Sequence, residues 1–389
     1  MAQDKLKAGI IGCGGRGTGA IENTLTGNPN VELTAMADLF EDKLELCLKR
    51  IGNDKRFAEL KARVNVAPDH RFTGFDAFKK VIASDVDIVM LTTPPGYRPE
   101  HFEAAINAGK HVFCEKPIAT DPVGVRRFLK SVETAKQKKL TVVSGAQRRA
   151  SSDYLQTREK VQNGAIGEIL ACYSNYLSGP VMHAKARDPR WGDMEWEHRN
   201  WYSFLWICGD QIVEQHFHNI DCMNWFMGAH PIKVVASGGV AWRPAEELYG
   251  NIYDHMASEF VYPNGVHLVS HCRQYPQGIY RIVNDVILGS KGRTTCNDMG
   301  AKSAVNPQVQ EHINMVRSIL GDGPYLNHGV DVAESTLTCI MARESAYSGL
   351  EITWDMIMNS QQDLQPKNFD YKLKMDPPPV PVPGKYKFI

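Results

Sequence analysis

Ala8-Gly9-Ile10-Ile11-Gly12-Cys13-Gly14-Gly15-Arg16-Gly17, residues 8–17, carries the strongest structural signal in this chain. Ala8 to Ile11 is a short apolar run that reads as a buried strand, Gly12, Gly14 and Gly17 hold the GxGxxG spacing, and Thr18 to Leu25 reads as helix. The glycines serve distinct physical ends. Gly12 permits the tight turn, Gly14 lets the backbone approach a pyrophosphate, and Gly17 lets the helix pack close to the strand. The free N–H groups at the helix start receive the anion. A plain glycine-rich turn is the competing reading, and the strand before it and the helix after it argue against that. Asp38 follows a second strand, Glu32 to Ala37, about 20 residues after the glycines, where a carboxylate accepts hydrogen bonds from both ribose hydroxyls of a dinucleotide and repels a 2′-phosphate. NAD is therefore expected over NADP. Asp38 also suits the N-cap of the helix that starts near Leu39.

The same rhythm continues outward. Asp87 to Thr92, His111 to Cys114 and Leu140 to Ser144 read as further strands, with a helix from Arg98 to Ala108 closed by Gly109. Strands alternating with helices imply a parallel sheet wrapped on both faces. After Gln147 the pattern changes to a helix at Tyr154 to Asn163 and long strands at Glu168 to Leu177 and Ile232 to Val240. Ser258 to Tyr262 and Val266 to His271 flank Pro263-Asn264-Gly265, which is hairpin chemistry. The fold class expected is α/β: a Rossmann domain over 1–147, then an α+β domain over 148–365 with a large, mostly antiparallel open sheet. A helix near 330–349 is expected to pack back on the first domain. The Pro-rich end, 366–389, is expected to lie extended.

A chain of 389 residues exceeds one ordinary core, in keeping with two domains. Lys plus Arg and Asp plus Glu each total 44, so no global field draws nucleic acid or an anionic membrane. The nine cysteines are scattered without CxxC spacing, which suggests reduced thiols and a cytoplasmic setting. No apolar stretch is long enough to span a bilayer.

Two further segments carry chemistry. His111-Val112-Phe113-Cys114-Glu115-Lys116-Pro117 puts a Glu-Lys pair at the carboxyl end of a strand, the edge where open α/β sheets bind ligands, although a surface ion pair is the plainer alternative. Gly209 to Met227 reads as one helix, with Val213, Phe217, Ile220, Met223 and Met227 on an apolar stripe. At about 100° per residue, Glu214, His218 and Asp221 share another face, and His216 projects toward the apolar side as a structural histidine. A carboxylate that orients or charge-balances an imidazole makes an acid-base pair. Glu214 and His218 also have metal-ligand spacing, with His183, His198 and His255 as further donors. HExxH is absent, and the reading adopted has no metal.

With these residues in view, the chain resembles the Gfo/Idh/MocA oxidoreductase family over most of its length. The carriers are the GxGxxG turn, Thr92-Thr93-Pro94-Pro95, Ala108-Gly109-Lys110-His111-Val112 running into Glu115-Lys116-Pro117, and the segment with His218 and Asp221. The resemblance implies NAD as cofactor, held by Gly12, Gly14, Gly15, Arg16, Gly17, Asp38, Thr93, Pro94, Glu115 and Lys116. It implies that Lys116 touches a reacting ring hydroxyl while His218 acts as acid-base beside Glu214, with Gln147, Arg148, Trp201, Tyr202 and Asp221 toward a sugar, glycoside or polyol. An NAD-using glycoside hydrolase that works by transient oxidation, and a non-catalytic NAD-binding sensor, are the rival readings. Glu214 stands where many family dehydrogenases have Asp, and the aromatic-rich stretch from Trp191 to Trp206 is an insertion expected to reshape the pocket, its rings stacking on sugars or filling core. The chain also resembles family members exported from bacteria by a twin-arginine signal, which keeps a periplasmic setting open. Homo-oligomers are expected through the open sheet face.

Overall fold

A computed structural model describes residues 5–53, 58–180, 185–244 and 246–389. The chain forms two compact units. The first comprises 1–118, 127–151 and 303–330, and the second 119–126, 152–302 and 331–389. The chain thus crosses between units more often than a single boundary near 147 would have it.

The first unit is built on six parallel strands: β1 (Leu6–Ile11), β2 (Val31–Asp38), β3 (Arg71–Thr73), β4 (Ile88–Leu91), β5 (His111–Cys114) and β6 (Val142–Ser144). Their order is β3-β2-β1-β4-β5-β6, with every neighbouring pair parallel. Ala8, Ile10, Val89, Met90, Val112 and Phe113 are wholly buried, as expected of strands covered on both faces. The short β3 carries no apolar run and escaped the sequence reading. Chain order reverses between β1 and β4, so the carboxyl ends of these strands open a crevice, and the glycine turn stands at its mouth.

The helix Pro307–Leu320 belongs to the first unit. Asn306 caps it by accepting from the Gln308 N–H, and Ile313 packs against Gly27 closely enough that a β-carbon there would sit 2.7 Å from its Cγ1. The helix Gly329–Ser348 lies in the second unit from Asp331 onward. Its Asn224 and Ala236 contacts, through Thr338 and Ser345, explain why: its polar residues bond within that unit.

The second unit holds seven strands: β7 (Ile169–Ser178), β8 (Lys233–Gly239), β9 (His255–Val261), β10 (His267–Gln274), β11 (Ile282–Gly289), β12 (Gly292–Thr294) and β13 (Ile352–Thr353). Their order is β12-β11-β7-β10-β9-β8-β13, antiparallel throughout except for the central β7 and β10 pair. The β9–β10 hairpin turns at Pro263-Asn264-Gly265, with Gly265 at φ +80°. Alternation is regular: Cys172, Ser174, Phe260, Leu268 and Ser270 are buried on one face, whereas Tyr173, Glu259 and Val235 are exposed on the other. The Pro-rich end runs extended along this same unit, where Tyr253 donates to the Pro381 carbonyl and Asn251 to that of Pro378. Among the described residues no helix is long and apolar enough to cross a membrane.

One expected element is interrupted. The stretch 209–227 forms two helices, Gln211–Glu214 and Phe217–Met227, with Gln215 at φ −111°, ψ −48° between them. The His218 N–H bonds back to the Gln215 carbonyl at 3.4 Å, three residues earlier, so Glu214 and His218 do not share one uninterrupted helical face. The apolar stripe is still buried, with Val213, Phe217, Ile220 and Met223 fully covered. Burial of these four residues tolerates the break, and for that reason periodicity did not reveal it.

Candidate active site

In the first unit the site begins at the glycine turn. Gly12 takes φ +99°, and a β-carbon there would lie 2.6 Å from the Thr93 nitrogen. A β-carbon at Gly17 would come within 1.9 Å of the Gly12 carbonyl oxygen, whereas at Gly14 and Gly15 one would meet nothing within 4 Å. Gly12 and Gly17 are thus required by the protein's own packing, while Gly14 and Gly15 face open space. The helix Gly15–Gly27 starts there, and its first amides have no partner within the helix. That open cradle lined by donors fits a dinucleotide pyrophosphate.

Asp38 ends β2 beside the turn. Its carboxylate accepts from the Cys13 N–H at 2.6 Å and the Phe40 N–H at 3.0 Å, while burial pushes its pKa up against those donors. It therefore binds the turn to the strand end and closes a local turn ahead of the helix Glu41–Asn53, with carboxylate lone pairs still to offer a ribose. The Thr92 hydroxyl, after β4, donates to the Gly12 carbonyl at 2.6 Å, and Thr93 and Pro94 follow half-buried.

Glu115 and Lys116 are both buried, which rules out the surface ion pair. The Glu115 carboxylate receives Arg16 Nε at 2.5 Å and lies so close over Gly145 that a β-carbon there would meet it at 2.5 Å. Lys116 precedes a cis Pro117, whose carbonyl accepts from buried Arg98 at 2.5 Å. A third acid, Glu311, comes from the helix Pro307–Leu320 and lies 3.8 Å from the Arg16 guanidinium. Burial first, and Glu115 second, push the Glu311 carboxyl well above the ordinary range. Gln147 and Arg148 are half-buried in a short 3-10 turn after β6.

In the second unit Glu214 is buried and His218 half-buried at the start of the helix Phe217–Met227. Gln215 donates from Nε2 to the Glu214 carboxylate and accepts from the Tyr176 hydroxyl at 2.8 Å. Tyr202 is buried and its phenol accepts from Gln274 at 2.8 Å; burial, then the nearby Glu214 charge, raises its pKa well above the usual value. Asp221 is buried and accepts from Ser335 at 2.9 Å, so its carboxylate fastens this helix to Gly329–Ser348. His216 is fully buried, with Nε2 2.5 Å from the Ser270 hydroxyl, and has the structural role its position suggested.

The aromatic insertion is mostly core. Trp196, Phe204, Trp206 and Ile207 form a buried cluster, with Trp191, Trp201, Leu364, Phe369 and Met375 packed against it. Trp206 donates to the buried Glu197 carboxyl at 2.6 Å; burial pushes that acid up to about 7. Only Trp201 and Trp191 among these tryptophans are half-exposed. Of the additional histidines, His198 is buried against the Met194 carbonyl, His255 bonds Asp254 at 2.8 Å, and His183 lies outside the described residues. Among the described residues no group of three or more His, Cys, Asp or Glu side chains is placed to hold a metal ion.

Sequence reasoning missed Gln215, Gln274, Arg98 and Glu311. Asn306-Pro307 followed by Val309, Ile313 and Val316 was a readable helix start, yet nothing in it told where the helix would dock.

Comparison with known proteins bears on the family and the fold. Residues 6–145 match an oxidoreductase family with an NAD-binding Rossmann fold, and residues 154–295 match the Gfo/Idh/MocA C-terminal domain. An inositol 2-dehydrogenase of Rhizobium meliloti is 26% identical over 235 residues, 60% of this chain and 59% of that protein, so the match spans less than two thirds of the relative. The scyllo-inositol dehydrogenase of Lactobacillus casei, solved with bound NAD(H) and scyllo-inositol, is similar in fold with a TM-score of 0.69 at 20% identity, covering 90% of this chain and 99% of that one. An aldose-aldose oxidoreductase of Caulobacter crescentus gives 0.65 at 17%, covering 90% and 99%.

Proposed function

From the premise that this chain belongs to the Gfo/Idh/MocA oxidoreductase family, with its NAD-binding Rossmann domain, we propose that it oxidises a ring hydroxyl of a polyol or sugar. The observation that carries the reading is the buried Lys116 at the carboxyl end of β5, on the same sheet edge as the open glycine cradle. An ammonium kept at that edge meets a substrate oxygen rather than solvent.

When bound, NAD supplies the hydride acceptor. The turn at 12–17 holds its phosphates and Asp38 its adenosine ribose. Lys116 stabilises the charge that develops on the substrate oxygen, and His218 takes the hydroxyl proton. Glu214 holds that imidazole in place, and Gln147, Arg148, Trp201 and Tyr202 contribute to the substrate's surroundings. Inositol is the first substrate to try, because relatives in the family are named inositol 2-dehydrogenases.

The test is a screen over inositols, sugars and glycosides that follows NADH and free aglycone in the same well. NADH accumulating with a free polyol or sugar supports the proposal; aglycone released from a glycoside without net NADH replaces it with redox-neutral hydrolysis. Copies of the chain are proposed to pair through the uncovered face of the second sheet, where Tyr173, Val269, Glu259 and Val235 lie in one cross-strand row. Light scattering of the purified protein should give a multiple of the 43.5 kDa chain mass, and a monomer would refute it.

A further inference from the structure

The break at Gln215 places a side chain that the proposed chemistry has not used. Gln215 stands between the helices Gln211–Glu214 and Phe217–Met227, and its neighbour His216 is pinned by the Ser270 hydroxyl at 2.5 Å. Gln215 Nε2 donates to Glu214 Oε2, and Gln215 Oε1 accepts from the Tyr176 hydroxyl at 2.8 Å. The orientation of this amide follows from donor and acceptor capacity. An ionised carboxylate only accepts, so the amide nitrogen must face Glu214; the oxygen is then left for a donor, and the Tyr176 hydroxyl is that donor. Tyr176 comes from β7, which is held on both sides by β10 and β11, so the relay is anchored in the sheet rather than in the interrupted helix.

We infer that Gln215 is a positioning residue, locked by Tyr176, that fixes the Glu214 carboxylate so that its other oxygen meets the imidazole of His218. On an unbroken helix, packing of neighbouring turns would orient the acid; here the amide bridge does so. The inference rests on the acid-base role proposed for Glu214 and His218.

The experiment compares Q215L, Q215E, Y176F and the double variant Y176F/Q215L. Q215E has nearly the shape of glutamine but replaces the donor with a second carboxylate, so it separates loss of the bridge from loss of packing. Q215L and Q215E are expected to lower kcat roughly tenfold or more, with KM for NAD within about twofold of wild type. Y176F alone is expected to cost about threefold, and nothing further in the Q215L background, because both changes break one relay. Independent, multiplying effects of Y176F and Q215L, or an unchanged kcat in Q215E, would overturn the inference. Crystal structures of wild type and Q215L read the bridge without turnover: the Glu214 carboxylate should leave its wild-type orientation in Q215L, and an unmoved carboxylate overturns the inference by itself. Failure of the wild type to oxidise any polyol or sugar would instead count against the proposed function, leaving this structural comparison to decide the role of Gln215.

Discussion

Replacing Gly14 and Gly17 separately by alanine should divide ligand approach from packing. A β-carbon on Gly17 falls 1.9 Å from the Gly12 oxygen and 2.8 Å from the Thr92 hydroxyl, whereas an ordinary C···O approach is about 3.3 Å. Backbone must shift to relieve it, and overpacking of that kind costs about 1–3 kcal/mol. At roughly 2–4 °C per kcal/mol for a large domain, G17A should melt about 2–12 °C below wild type. Gly14 is different. It sits at φ −67°, ψ −172°, a conformation alanine adopts freely, and a β-carbon there touches no protein atom within 4 Å. The weaker N-cap and the reduced freedom of the unfolded chain nearly cancel, each worth some tenths of a kcal/mol to about 1. G14A should therefore melt within about 2 °C of wild type, yet bind NAD at least tenfold more weakly, about 1.4 kcal/mol, because the methyl group occupies the phosphate's approach. Thermal melts without cofactor and calorimetric NAD titrations read the two effects separately. Normal NAD affinity in G14A, or a larger melting loss in G14A than in G17A, would show that Gly14 does not border the phosphate and that Gly17 is not the tightly packed position.

Other outcomes are expected from the same geometry. Asp38→Ala should weaken NAD binding and narrow the preference for NAD over NADP, measured as the ratio of the two dissociation constants; an unchanged ratio would remove Asp38 from cofactor selection. Glu311→Gln tests the buried acid. The unfolded chain ionises this group from about pH 4.5, while burial keeps the folded one protonated to higher pH, so the wild type loses stability as pH rises through that window. The glutamine variant should therefore gain melting temperature relative to wild type as pH is raised above 5, and parallel melting curves would show that Glu311 ionises normally. Trp206→Ala should cost about 3–5 kcal/mol of stability, as removal of core does, rather than act mainly on KM.

The first unit was largely legible because its signals are local. Strand, glycine turn and helix follow one another between Leu6 and Gly27, and Asp38 and Glu115-Lys116 each stand directly at a strand end, so pattern and position coincide. What escaped depends on distant pairing. Glu311 reaches Arg16 across nearly three hundred residues, and β3 forms by pairing its backbone with β2, with no apolar signature of its own. In the second unit, hydrophobic periodicity located Val213 to Met223 correctly but could not distinguish one helix from two, since a turn of irregular backbone at Gln215 leaves the buried stripe intact. Asp221 shows the same limit. Its buried carboxylate accepts from Ser335, a partner that only the tertiary fold supplies and that no spacing along the segment announces. The tryptophans of 191–206 were ambiguous between stacking surface and core, and the C-terminal residues Leu364, Phe369 and Met375 resolve Trp196 and Trp206 as core.

Turnover of Lys116→Met, in a protein shown by titration to bind NAD as the wild type does, tests most directly whether the Lys116 ammonium serves the reacting oxygen. NADH formation on the best polyol or sugar should fall to a small fraction of the wild-type rate, since methionine keeps an unbranched stem as far as Cε and removes the ammonium. A rate near that of the wild type would contradict it.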